Sequence, residues 1–230
     1  MAELSLDIMP KRSSYGDGAF VRSLAIHSPS PERASLAMED TVHSFQIDFS
    51  HHDGLVTAVT ARWDRHPMNS CEGATTALES LVGKALTSDL FEMARQTDVS
   101  QQCTHLFDMF SFAIKHVSEG RADCRYDVVI PDVPGGPVVA TLSIDGEEAL
   151  ALGLDDYQTI VWPEACKGVS VFKGFMAWVR ANAPNEQWDH YYLLQKALFV
   201  GRVQTMDVES MLGQRANRSG PNDGTCFGSQ

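Results

Sequence analysis

Along residues 98–117, apolar side chains at Cys103, Leu106, Phe107, Phe110, Ala113, Ile114 and Val117 recur at the spacing of an amphipathic helix. Asp98 or Ser100 can cap its start, Gln101 stands three residues after Asp98 as in a capping box, and Gly120 ends it. A narrower stripe of His105, Met109, Phe112 and His116 leaves little of the circumference polar. Such a helix is expected at the centre of a fold, with Cys103, Thr104, His105 and Asp108 of its first turns held inside.

Elsewhere the period shortens to two. Residues 20–26 predict a strand, closed by the turn-rich His27-Ser28-Pro29-Ser30-Pro31. Val42, Phe45, Ile47 and Phe49 largely alternate, as do Val56 and Ala58 and, less cleanly, Ala61 and Trp63, and His52-Asp53-Gly54 between these runs marks a hairpin. Asn69, with Glu72 three residues on, reads as the cap of a helix running to Gly83, and a shorter helical piece spans about 87–94. Strands return at 124–130, 138–144 and 149–154, a meander separated by the Pro131–Gly136 stretch and by Asp145-Gly146. Residues 155–168 read as irregular, and 172–183 and 186–200 as helices broken at Pro184. Residues 1–18 read as an arm and 215–230 as a tail. The economical assembly is one α+β domain over 1–230: antiparallel strands in two blocks around the central buried helix, with C-terminal helices.

Composition narrows the function. The chain has 230 residues, 43% hydrophobic and 21% charged, which suits a soluble globular protein. A net charge of −12 argues against nucleic acid and anionic membrane as partners, both of which select basic surfaces. No apolar run approaches the length of a transmembrane span, and the N-terminal stretch lacks a basic region followed by an apolar one. The five cysteines are scattered without a Cys-x-x-Cys pair, which suits free thiols in a reducing cytoplasm.

No nucleotide, flavin, pyridoxal or metalloprotease motif is present, so no cofactor is expected and any catalysis falls to side chains. His43 shares the parity of Phe45, Ile47 and Phe49 and should face inward, where a histidine is either a satisfied core residue or a chemical one. His105 can meet Asp108 on the next turn, which would orient its ring. Cys71 and Cys103 fall near predicted helix starts, where an anion or thiolate is favoured, although free cysteines are more often small buried hydrophobes. A metal shared by Cys103 and His105 is disfavoured, because residues two apart on a helix point about 200° apart. In the last helix, Tyr191, Tyr192 and Lys196 read either as ordinary aromatic packing or as a wall against a phenolic ligand.

Taken together, His43-x-Phe45, His52-Asp53-Gly54, Arg65-x-Pro67, Cys71, and above all the tetrad Cys103-Thr104-His105-Leu106 resemble a bacterial domain-of-unknown-function family. Gln195-Lys196-Ala197-Leu198, Arg202 and Asp207 extend the likeness, which covers roughly residues 15–210. The resemblance implies a cofactor-independent γ-formaldehyde lyase that converts lignin-derived phenylcoumaran or diarylpropane dimers to stilbenes. Under it, His43 and His105 are the acid and base, Asp108 orients His105, and Arg65 or the helix start at Cys71 stabilises phenolate. Tyr191, Tyr192 and Lys196 lie along a small aromatic substrate, and a homodimer is allowed. The competing readings are a non-catalytic carrier of a hydrophobic aromatic or acyl ligand, and a hydrolase or transferase with Cys103 as nucleophile.

Overall fold

Alternating burial along the strands decides which residues the sheet turns inward. The computed structural model describes residues 12–155 and 157–207, so most of the predicted arm and all of the predicted tail lie outside the described residues. Within these, the chain divides into two compact units, one of residues 24–124 and one of 12–23 with 125–207. The first strand, β1 (Ala19–Ser30), begins in the second unit and ends in the first.

The first unit continues with β2 (Arg33–Glu39), β3 (Ser44–His52) and β4 (Leu55–Arg65), in the order β4-β3-β2-β1. Leu36 pairs with Ile47, and Ile47 with Ala61, in antiparallel register. Phe45, Ile47 and Phe49 are buried while Asp48 is exposed, the alternation of a sheet with one covered face. At the β3–β4 turn Asp53 and Gly54 both take positive φ, 48° and 75°, as a two-residue hairpin of matching twist requires. β1 runs four residues beyond its predicted end at Ile26, into the predicted turn. His27 and Ser28 are held extended by the Asp123 carboxylate, which accepts from Ser28 N at 2.8 Å.

The helices of this unit are more broken than their periodicity predicts. In place of one helix from Asn69 to Gly83 there is a 3-10 turn (Asn69–Gly73), a single α turn, α1 (Ala74–Ala77), and a second 3-10 turn (Leu78–Leu81). Met68, not Asn69, takes the cap position. Gly73 and the hydroxyls of Thr75 and Thr76, which bond back to Glu72 O at 3.2 Å and Gly73 O at 2.8 Å, favour tighter turns over a regular helix. The predicted piece at 87–94 is reduced to α2 (Glu92–Arg95).

The central helix starts later than predicted. Asp98 caps a 3-10 turn (Val99–Gln101), accepting from Ser100 N at 3.1 Å; Cys103 is extended, and α3 (Thr104–Ser118) begins after it. Gly120, at φ 64°, ends it as expected. Leu106, Phe110, Phe112, Ala113 and Ile114 are fully buried, α3 packs on β2, and Phe110 meets Phe49 edge-on at 5.3 Å. Only part of the first turn goes inside. Cys103 is buried, Thr104 is exposed, and His105 and Asp108 are half-buried.

In the second unit the strands are the start of β1, β5 (Cys124–Pro131), β6 (Val138–Ile144), β7 (Glu147–Asp155) and β8 (Thr159–Trp162), neighbours in that order. The predicted meander is present, and β8 adds a fourth strand where the sequence reads as irregular. Two C-terminal helices follow, α4 (Phe175–Asn182) and α5 (Trp188–Gly201). Gly201 is required by close approach: a Cβ there would stand 2.8 Å from Ile130 Cδ1. The class is α+β, with antiparallel strands and helices in each unit. Among the described residues no helix is long and apolar enough to cross a membrane.

Candidate active site around the histidine pair

The link from β2 to β3 folds around one carboxylate. Asp40 Oδ1 accepts from Val42 N at 2.8 Å, from His43 N at 2.7 Å and stands 3.2 Å from His43 Nδ1, while Asp40 N donates to His43 O at 2.7 Å. An aspartate that bonds the backbone two and three residues on closes a tight turn by itself. Asp40 and His43 are only 2% and 3% exposed, so the ion-assisted contact lies away from water. Because the carboxylate can only accept, the Nδ1 of His43 carries its proton and Nε2 is the nitrogen left to act on a ligand.

Against this ring lies His105, from the first turn of α3. The imidazole centroids are 4.0 Å apart with planes inclined at 32°. His43 is buried and His105 half-buried, so one ring of the pair is sheltered and the other reaches toward solvent. Trp63 of β4 stands 6.2 Å from His43, packs edge-on against Phe45 at 5.0 Å, and meets His66 at 5.9 Å. Arg65, two residues along β4, donates through Nη2 to the carbonyl of Asp40 and to Glu39 Oε1 at 3.1 Å. His66 Nδ1 stands 2.9 Å from Met68 O.

The structure thus brings together His43, His105 and Arg65, three residues widely separated in sequence. Asp108 follows His105 by one turn of α3. Asp40, whose carboxylate meets His43 Nδ1, is a residue that sequence reasoning passed over. Its signal was available: an aspartate three residues before a core-facing histidine, with Thr41 and Val42 between, is an Asx-turn pattern. Cys71 lies in the 3-10 turn after β4 and Cys103 at the cap of α3; both are buried, 8% and 4% exposed, and count with the apolar core.

Tyr191, Tyr192 and Lys196 belong to the second unit, on α5. Tyr191 is buried edge-on against Phe175 at 5.9 Å, and burial, with Cys166 nearby, pushes its phenol up from the usual tyrosine range. Lys196 Nζ rests 5.0 Å above the ring of Tyr192.

Residues 18–117 match the family described as "Protein of unknown function (DUF2889)". No curated protein matches the chain. The matched stretch runs from β1 nearly to the end of α3 and contains His43, Arg65, Cys71, Cys103, His105 and Asp108. Tyr191, Tyr192 and Lys196 fall outside it.

Proposed function

We propose that this chain is a cofactor-independent acid–base lyase that eliminates formaldehyde from a lignin-derived phenolic aromatic dimer to give a stilbene. The observation that carries the reading is the pair His43–His105, with ring centroids 4.0 Å apart and one ring bonded to the buried Asp40. Two imidazoles in contact, one oriented by a carboxylate, can give and take protons at neighbouring atoms of one ligand without further equipment.

The electron count closes without an oxidant or reductant. The ionised para-hydroxyl of one ring pushes electrons through the ring, the bond from the benzylic carbon to its oxygen breaks, and His105, the more accessible ring, donates a proton to that oxygen. The product is a quinone methide. His43, through Nε2, then takes the proton of the γ-hydroxymethyl O–H; the bond from the β-carbon to the γ-carbon breaks, formaldehyde leaves, and the released pair restores the phenolate and forms the stilbene double bond. Asp40 stabilises the charge that His43 gains in this step, which is the work of a buried carboxylate behind a general base.

The test is turnover of phenolic phenylcoumaran and diarylpropane dimers, followed by formaldehyde release and stilbene fluorescence. His43→Ala and His105→Ala should each lower the rate by about 100-fold or more with unchanged circular dichroism. Near-wild-type turnover in both variants sinks the assignment. Binding of the dimers with no product after long incubation would instead make the protein a carrier. Inactivation by iodoacetamide at a single cysteine would point to thiol chemistry.

A further inference from the structure

Two buried N–H donors at the end of β4 have no acceptor among the described residues: Trp63 Nε1 and Arg65 Nε. Trp63 and Arg65 are half-buried while Arg62 and Asp64 are exposed, so the two share the covered face of β4; a bulge between Ser44 and Phe45 sets Trp63 against Phe45 and Arg65 against Ser44, next to the turn that delivers His43. The guanidinium is held in place by the bonds of its Nη2 to Asp40 O and Glu39 Oε1. An unanswered buried donor costs about 1–3 kcal/mol, more when charged, and arginine cannot shed its proton to escape the cost. Two such donors on one strand face call for an acceptor oxygen carrying negative charge. The neighbours of the indole say what that oxygen is attached to, because the rings of His43, Phe45 and His66 pack around Trp63.

We propose that Trp63 Nε1–H and Arg65 Nε–H form an oxyanion subsite that takes the phenolate oxygen of an aromatic ligand. The proposal rests on the reading that the histidine pair is the reacting centre, and not on which bond is broken there. Both donor atoms are covered, while the side chains that carry them are half-buried. Rotation of the indole at the strand end is therefore the movement that admits the oxygen. Once bound, the oxygen lies out of bulk water, where a charge-assisted bond is strong. Holding the phenol in its ionised form would also start the electron push described above.

The experiment uses the whole chain and 4-nitrophenol, whose ionised form absorbs in the visible, with 4-nitroanisole as the neutral control. The wild-type protein should draw the probe toward its yellow phenolate form and leave nitroanisole unaffected. Trp63→Phe keeps a ring and removes the N–H; Arg65→Met keeps the stem and removes the guanidinium. Each should weaken nitrophenolate binding about tenfold or more, the loss of one hydrogen bond to a charged group. If Arg65→Met fails to fold, Trp63→Phe alone decides, its fold checked by circular dichroism. Binding by Trp63→Phe within twofold of wild type overturns the subsite and means that the indole N–H meets only internal water. His43→Gln separates the two claims, because it should abolish formaldehyde release and keep nitrophenolate binding. A wild-type protein that binds nitrophenolate through Trp63 but releases no formaldehyde keeps the subsite and loses the lyase. Turnover and binding both untouched by Trp63→Phe do the reverse.

Discussion

Asp40 is the residue on which the site turns, because one oxygen does two jobs. It closes the β2–β3 turn by accepting two backbone N–H groups, and it faces His43 Nδ1. Asp40→Asn separates these roles. The amide oxygen can still accept from the backbone, but it carries no charge to stabilise a protonated imidazole. The expected outcome is a fall in formaldehyde release of about 100-fold with a loss of only about 1 kcal/mol in unfolding free energy; equal losses in both would make Asp40 a fold residue alone. The histidines were legible in sequence because parity and motif marked them. Asp40 was not, since Met38-Glu39-Asp40 ends a strand and an acidic strand end ordinarily faces water.

At the scale of elements, strands were easier to read than helices. Alternation located β3 and β4 because burial on one face imposes a period of two, and Asp53-Gly54 marked their turn through backbone sterics alone. The helical stretch from Asn69 failed because hydroxyl back-bonding and Gly73 compete with the regular ladder, which periodicity does not register. β8 was missed because four residues are too few to establish a period. One inter-strand contact has a pH consequence. Burial alone would raise the Asp127 carboxyl, but hydrogen bonds from Arg125 at 2.8 Å and Ser23 at 2.5 Å outweigh it and hold the group below the usual carboxylate range. A carboxyl depressed in the folded state adds stability above its ordinary pKa, and that stability is lost as pH falls through the folded value. Asp127→Asn should therefore cost about 0.5–1 kcal/mol at pH 7, and thermal unfolding of the two proteins should converge below about pH 4. A gap that persists in acid would exclude this linkage.

At the scale of the molecule, α3 is the keystone of the first unit, and the depth of Phe110 measures how much. The ring is fully buried and meets Phe49 edge-on at 5.3 Å. Phe110→Ala should lower the urea unfolding free energy by about 3–5 kcal/mol, and because domains hold only about 5–15 kcal/mol in total, the variant should be partly unfolded in warm solution. A loss under about 1 kcal/mol would mean that the core closes over the gap. The two units also differ in how the chain reaches them. Residues 24–124 are contiguous, whereas the second unit joins 12–23 to 125–207. Ser23 bonds Asp127 across a separation of 104 residues, and Arg12 bonds Gln204 across 192. On a ribosome, synthesis from the N-terminus therefore completes residues 24–124, which carry the histidines, while the opening segment of β1 still lacks its neighbour β5. Until residue 125 and its successors emerge, that segment is an unmated edge in the nascent chain, and loop closure over so long a span is slow. The half that carries the histidine pair would then be the early product of translation, and the waiting strand the place where a crowded cell could misassemble it.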